Sequence, residues 1–321
     1  MNARISVCVP SFNHERYIGQ ALRSVLCQDV PSLEVVVVDD CSDDASVARI
    51  REIADPRVSL HINEQNVGPA ETANRALAKA TGEYITFFSS DDVMYPGALA
   101  RKAAVLDADA EVGLVYSDAA IIDIDSRRIG DYWSSEGYKP LRGRLSLPMI
   151  ASSGMFIPGL SAMIRKSCLD EVGPLDVSLR YACDGDLWLR IAARAKIEYV
   201  ESPLVGWRQH SRNLHKVPDP STYAERSMVT ARILAQNPRA APRWLHGALT
   251  ANPLLQAVEL AFRRDPREAR DYLLRAFHCC PVHPLLPILY LNTFLDFPAL
   301  WDLGIFRRLL LRLARADRKT A

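Results

Sequence analysis

The stretch "ISVCVPSFNHERYIGQALRSVLCQDVPSLEVVVVDD", residues 5–40, decides how the rest of the chain is read. It opens on a short apolar run, passes through apolar residues at helical spacing in "YIGQALRSVLCQ", and closes on a second apolar run, "LEVVVV". Short runs rich in Val and Ile are strands buried on both faces, and a helix between two of them makes a strand–helix–strand unit with parallel strands. The pattern repeats downstream. "DDASVARIREIA" reads as a helix with its start marked by Ser42, Asp43 and Asp44, "RVSLHIN" as a strand, "GPAETANRALAKAT" as a helix and "GEYITFFSS" as a fourth strand. An α/β fold with a mainly parallel central sheet is therefore expected for the N-terminal part.

In open sheets of this kind, ligands bind beyond the carboxyl ends of the strands. The first strand ends at Pro10-Ser11-Phe12, the second at Asp39-Asp40 and the fourth at Asp91-Asp92, so three polar endings fall on one rim. Asp91 and Asp92 raise the sharpest question, because adjacent carboxylates repel and burial raises the cost. Either they begin a helix, whose dipole favours negative charge, or they are hard oxygen donors for Mg2+ or Mn2+ that leave other positions to phosphate. Asp39 and Asp40 pose the same choice: a helix start with Ser42, or a bond to a pyrimidine N3–H or a ribose hydroxyl. Two acidic pairs on one rim favour ligand binding.

Further along, "VGLVYSDAAIID" reads as a strand, "LPMIASSGMFI" is ambiguous, "GDLWLRIAARA" is an amphipathic helix and "IEYVESPLVGWRQH" is extended. The segment "YACDGDLWLR" puts Asp186 at the N-cap of that helix and Asp184 two residues earlier, where a carboxylate can take a proton from an attacking hydroxyl. His210 in "WRQHSRN" is either a packed residue or a metal ligand, with Arg208 and Asn213 fitting a basic, hydrogen-bonding mouth. The sequence contains no G-x-x-x-x-G-K-[ST], G-x-G-x-x-G or G-x-S-x-G, which removes P-loop, dinucleotide-binding and α/β-hydrolase readings.

After "KVPDPS" the chain turns to Ala-, Leu- and Arg-rich helices punctuated by proline, so a boundary is placed near Val217, with residues 1–217 as the α/β domain and 218–321 as a helical extension. Within the extension, "NPRAAPRWLHGALTANP" and "DPREARDYLLRAFHCCP" match as two copies of one helical unit. Net charge is +1, but residues 218–321 hold 15 Lys and Arg against 9 Asp and Glu, so the tail is the basic part. "FRRLLLRLARADRK", residues 306–319, is read either as a packed helix with a solvated basic face or as an amphipathic helix lying on anionic lipid, a peripheral membrane contact. The apolar run "LLPILYLNTFLDFPALW" is broken by Pro287, Asn292, Asp296 and Pro298 and is not expected to span a membrane. Seven scattered cysteines without a C-x-x-C pair argue against a disulfide scaffold or zinc site, and the start lacks the pattern of a signal peptide. A cytoplasmic location, extending to the inner face of the cell membrane, is expected, with no nucleic-acid partner.

Taken in order, "ISVCVPSFNHERYIGQALRSVLCQ", "VVVVDDCSDDAS", "NVGPAETANRALAKATGEYITFFSSDD" and "CDGDLWLRIAA" resemble the family 2 inverting glycosyltransferases of the GT-A fold, of the bacterial polysaccharide type, over about residues 4–216. The resemblance implies a metal-dependent transfer, with Mn2+ or Mg2+ as cofactor. A sugar moves from a nucleotide-diphosphate donor, UDP- or dTDP-linked by preference, to a hydroxyl of a glycan or lipid-linked glycan. It implies that Pro10, Ser11 and Phe12 hold the nucleotide base, with Phe12 stacking on it, and that Asp40 reads the pyrimidine. It further implies that Asp91 and Asp92 bind metal and ribose, that Asp184 is the catalytic base and that His210 completes the metal site. The chain departs from the family pattern at four places: Ser89 replaces the first acid of D-x-D-D, Cys41 a Gly, Ala73 an Arg, and Cys183 a Glu. Two competing readings are a non-catalytic nucleotide-sugar binder and a sugar nucleotidyltransferase. The latter calls for a Gly-rich, Arg- and Lys-containing loop where this chain has "PSFNHERY".

Overall fold

A computed structural model describes residues 3–132, 147–152, 157–211, 213, 220–240, 242, 245–247, 249–251, 253–254, 257 and 266–279. The chain divides into two compact units, Met1–Leu214 and His215–Ala321.

In the first unit the strands are β1 (Ile5–Ser11), β2 (Leu33–Asp39), β3 (Val58–Ile62), β4 (Tyr84–Phe87), β5 (Val93–Met94), β6 (Val112–Ile122), β7 (Arg128–Asp131), β8 (Met163–Arg165) and β9 (Lys196–Arg208). The helices are α1 (Ile18–Leu26), α2 (Ser46–Arg51), α3 (Pro69–Leu77), α4 (Ala98–Ala108), α5 (Leu147–Ser152), α6 (Lys166–Val172) and α7 (Cys183–Ala192). Among the described residues the strands form one sheet in the order β3-β2-β1-β4-β8-β6-β9-β5, with β7 paired to β6. Strands β1 to β4 pair in parallel, as the alternation of apolar runs and helices requires. Beyond β4 the sheet becomes mixed: β8 is antiparallel to both β4 and β6, while β9 is parallel to β6.

The continuous apolar character of β1 and β2 has a direct cause. Val7, Val9, Val35 and Val37 enter the main core with Ile18 and Leu22 of α1, while Cys8, Val36 and Val38, pointing the other way, are buried as well. With both faces covered, neither strand keeps a polar alternation. Helix α1 buries Ile18, Ala21, Leu22 and Val25, the i, i+3, i+4, i+7 stripe of a helix lying on a sheet. Helix α7 begins at Cys183, with Ala182 at its N-cap, so Asp186 is not the cap expected from the sequence. It sits inside the first turn, fully buried, and binds Arg190 Nε at 2.7 Å. Arg190 in turn donates to the carbonyls of Val172, Gly173 and Pro174, so the carboxylate is spent on anchoring α7 to the end of α6.

In the second unit, α8 (Pro220–Gln236) and α9 (Pro266–Cys279) are helical, as is every described residue between 245 and 257. No helix among the described residues is long and apolar enough to cross a membrane. The apolar run at 285–301 and the basic segment at 306–319 lie outside the described residues.

One charge inside the first unit has a measurable consequence. Lys102 of α4 is completely buried, donates to Ser161 O at 3.0 Å, and has its pKa pushed down to about 7 by burial. An unfolded lysine titrates near ~10.4, so between the two values the unfolded chain binds the extra proton and stability rises with pH. Below the lower value both states are charged, and the full cost of burying the ammonium is felt. Lys102→Met is therefore expected to raise the thermal unfolding midpoint by more at pH 6 than at pH 10, as read by scanning calorimetry. An equal gain at both would show that burial does not shift this amine.

Candidate active site

Strand β1 lies between β2 and β4, with Ser11 opposite Asp39 and Cys8 opposite Phe87. Because all three are parallel, their carboxyl ends share one rim. The antiparallel β8 pairs Arg165 with Tyr84 and Ile164 with Ile85, so the chain entering β8 comes from that same rim. It does so through the 3-10 turn Gly159–Ser161.

Asp91 follows β4 on this rim and is the centre of a small cluster. His210, just past β9, places Nε2 2.9 Å from Asp91 Oδ2, and His14, in the loop after β1, places its Nε2 3.8 Å from the same oxygen. Ligand atoms of His14, Asp91 and His210 all lie within 4.8 Å of one another. His210 stacks on Tyr17 with ring centroids 4.9 Å apart, and His14 Nδ1 is 2.7 Å from Ser90 Oγ. Two imidazoles and a carboxylate are a donor set that fits a divalent cation. The structure thus brings together Asp91 and His210, both singled out from the sequence, and adds His14, which was not. Metal-ligand motifs register ligands close in sequence, and His14 is separated from both partners by whole strands and helices.

Asp92 is turned the other way. Its Oδ1 accepts the backbone N–H of Arg208 at 2.8 Å, and the side chain of Ser89 bonds it as well. Burial, and then the neighbouring Asp91, push its carboxyl well above the usual carboxylate range. The adjacent carboxylates are compatible because they face different surroundings and do not both carry full charge at the rim. Asp92, expected beside Asp91 as a metal donor, is held instead in the wall behind it.

Arg208 is not in a solvent-facing mouth. It is fully buried, and its guanidinium donates through Nε to Asp91 O at 2.7 Å, through one terminal nitrogen to Asp123 O at 3.0 Å and Ser126 Oγ at 3.0 Å, and through the other to Gln20 Oε1 at 2.8 Å. The Tyr17 ring lies 4.9 Å from its carbon centre, a cation–π contact. Asn213 fastens the chain after β9 by donating to Arg208 O at 2.8 Å and accepting the His210 N–H.

The second acidic pair also faces inward. Asp39 accepts Ser42 N–H at 2.9 Å and Ser42 Oγ–H at 2.7 Å, closing the loop after β2. Asp40 accepts from Asn63 Nδ2 at 2.8 Å, Val67 N at 2.9 Å and Gly68 N at 2.9 Å, and so pins the turn that leads into α3. A carboxylate has about four lone-pair positions, so three donors leave one. Cys41 has φ +63°, a left-handed conformation that glycine adopts without the Cβ penalty. At the tip of the β1 rim, Phe12 is 43% exposed.

Asp184 is exposed in the first turn of α7, where the helix dipole favours its charge. A Cβ placed on Gly159 would stand 2.5 Å from Asp184 Oδ2, so a side chain at residue 159 would push this carboxylate from its present position against the 3-10 turn. The turn continues to Ser161, whose hydroxyl donates to Pro158 O at 2.8 Å and whose carbonyl accepts from buried Lys102. Asp184 is thereby tied to the rim that carries Asp91.

Comparison with known proteins agrees with this geometry. The model of the family described as "Glycosyl transferase family 2" matches residues 6–173. An uncharacterized glycosyltransferase of Nostoc sp. is 30% identical over 239 residues, spanning 73% of this chain and 73% of that protein. Among solved structures, S. aureus TarS 1–349 in complex with UDP-GlcNAc is similar with a TM-score of 0.67 and 20% identity, over 98% of this chain and 92% of that one. Mannosyltransferase PcManGT from Pyrobaculum calidifontis, in complex with GDP-Man and Mn2+, is similar with a TM-score of 0.55 and 21% identity, over 98% and 86% of the two chains. At such identities these two structures speak for the fold, which is GT-A.

The buried guanidinium yields a prediction about stability. Arg208→Lys keeps the charge but loses the fork, leaving buried oxygens of Asp91, Asp123 and Gln20 short of donors, each costing about 1–3 kcal/mol. Urea unfolding is expected to show a loss of about 3 kcal/mol or more. A loss below about 1 kcal/mol would mean that water or lysine replaces the network.

Proposed function

Because the chain belongs to glycosyl transferase family 2, we propose that it transfers a sugar from a nucleotide-diphosphate donor, UDP- or dTDP-linked, to a hydroxyl of a glycan or lipid-linked glycan, inverting the anomeric carbon. The product serves cell-surface polysaccharide synthesis. Residues 1–217 form the catalytic domain and 218–321 a helical region. The observation that carries the reading is the convergence on one rim of the Asp91 cluster, exposed Phe12 and exposed Asp184.

Each residue has a distinct task. Phe12 offers an aromatic face for the base, beside Pro10, and the remaining acceptor position of Asp40 takes a pyrimidine N–H or a ribose hydroxyl. Asp91 and His210 would hold a divalent cation, Mn2+ or Mg2+, while the adjoining Asp92 is bonded to Arg208 N–H and Ser89. When bound, that cation stabilises negative charge on the leaving diphosphate as a Lewis acid. Asp184 accepts the proton of the acceptor hydroxyl as its oxygen attacks the anomeric carbon from the face opposite the diphosphate. One displacement inverts that carbon and leaves no covalent sugar on the protein. The UDP-GlcNAc and GDP-Man of the two similar structures support a nucleotide-sugar donor. Contact of the basic segment 306–319 with an anionic membrane would bring the protein to the surface that holds lipid-linked acceptors.

General-base catalysis contributes about 10²- to 10⁴-fold, so Asp184→Asn is expected to lower kcat by that factor while donor KM stays within about threefold. Gly159→Ala, which crowds the same carboxylate, is expected to lower kcat at least tenfold without preventing UDP binding. Unchanged turnover in Asp184→Asn would remove it as the base, and product NMR showing retained anomeric configuration would sink the single displacement. Donor class is read from thermal shifts with UDP, dTDP, GDP and CDP, each with and without Mn2+. A ligand at about 100 times its Kd adds roughly 2.7 kcal/mol. A pyrimidine diphosphate is expected to shift the melt, and to do so only with metal. No shift with any nucleotide would exclude a nucleotide-sugar site.

A further inference from the structure

We infer that His14 is itself a ligand of the divalent cation, completing with Asp91 and His210 a centre of two imidazoles and one carboxylate that selects Mn2+ over Mg2+. The inference rests on the transferase reading only for the presence of a cation, and the choice of ligands comes from the geometry.

His14 Nε2 points at Asp91 Oδ2 from 3.8 Å, too far for a hydrogen bond, while His210 Nε2 reaches the same oxygen at 2.9 Å. A first-row divalent ion with ligand bonds of about 2.1 Å holds neighbouring ligand atoms about 3 Å apart and opposed ones about 4.2 Å apart. Separations of 2.9 and 3.8 Å, with all three ligand atoms inside 4.8 Å, are on that scale. A carboxylate flanked by two imidazoles at these spacings closes on an ion with small side-chain shifts.

The supports around His14 are those of a ligand. A metal-ligating histidine normally donates its other ring N–H to a fixed oxygen, which sets its tautomer and orientation. Ser90 Oγ stands 2.7 Å from His14 Nδ1 and fills that role from the residue adjoining Asp91. The backbone of the loop is pinned as well: Asn13 N–H donates to Ser42 Oγ and His14 N–H to Ser46 Oγ, both at 2.9 Å, and Glu15 N–H to Asp44 Oδ2 at 3.0 Å. The third ligand is therefore held in place before an ion arrives. Asp92 Oδ1 accepts the Arg208 N–H, and the group of ligand atoms within 4.8 Å of one another comprises His14, Asp91 and His210.

The donor set decides the ion. Mg2+ demands a near-octahedral shell of oxygens, whereas imidazoles suit first-row transition ions. Since His14 lies two residues beyond Phe12, one loop would carry both a metal ligand and the surface for the nucleotide base.

The test adds Mn2+ alone to the full chain and examines the bound ion by pulsed EPR. Nitrogen modulation from two coordinating imidazoles is expected in the natural protein and from one in His14→Ala, with the Kd for Mn2+ raised at least about tenfold, the scale of lost supporting contacts at metal sites. An excess of Mg2+ of roughly 100-fold is expected to leave Mn2+ bound. One imidazole in the natural protein, or two in His14→Ala, overturns the assignment of His14 while leaving a metal on Asp91 and His210 intact. Displacement of Mn2+ by equimolar Mg2+ overturns the selectivity. Absence of Mn2+ binding to the folded natural protein defeats the cation itself and the metal-dependent reading with it. Because the natural protein alone gives the imidazole count, a His14→Ala chain that fails to fold leaves the question decided.

Discussion

The rim of this protein depends on one buried cation, the guanidinium of Arg208. A charge taken out of water persists only where its donors are satisfied, and here they reach oxygens of Asp91, Asp123, Ser126 and Gln20, with the ring of Tyr17 across its face. Those partners come from the loop after β4, the turn between β6 and β7, and helix α1. A single side chain thus fixes three segments against each other, and its own backbone N–H holds Asp92. With Arg208 in place, the peptide of Asp91 has one position, and the carboxylate beyond it points to the histidines.

The acidic residues of the rim divide accordingly. Asp39 and Asp92 spend their oxygens on backbone and side-chain donors, closing the loop after β2 and bracing the end of β9, while Asp40 holds Asn63, Val67 and Gly68 and keeps one acceptor position. Asp91 stands beside two imidazoles, and Asp184 is exposed at the first turn of α7. Groups that hold the frame keep a fixed arrangement, so a site built on this rim needs little reorganisation on binding, which is where an enzyme gains most from preorganised charge. Membership of glycosyl transferase family 2 sits well with this division, since displacing a diphosphate from a sugar asks for charge stabilisation on one side of the anomeric carbon and a proton acceptor on the other.

The right-hand part of the sheet contributes without carrying much chemistry of its own. Because β8 runs antiparallel beside β4, the turn before it returns to the rim, and Gly159 can approach the Asp184 carboxylate. The long β9, parallel to β6, ends where Arg208 and His210 are needed. Buried Lys102 joins this region to α4 through the carbonyl of Ser161. Packing far from the loop after β1 therefore sets the relation between Asp184 and the Asp91 cluster.

By itself, the sequence determined the alternation of β1 to β4 with their helices and the strand ends at which Phe12, Asp39, Asp40, Asp91 and Asp92 fall. Those features are local: apolar runs, helical spacing and polar punctuation are written in consecutive residues. Only the tertiary structure decided which way each rim side chain turns. Asp91 and Asp92 look equivalent in the chain, yet one faces two histidines and the other the backbone of β9. His14 carried no signal of its own, Asp186 resembled a cap but became a buried partner of Arg190, and Arg208 looked like a surface cation but became the centre of the wall. Each outcome depends on contacts between segments far apart in sequence, and sheet register with side-chain packing, not residue spacing, creates those contacts.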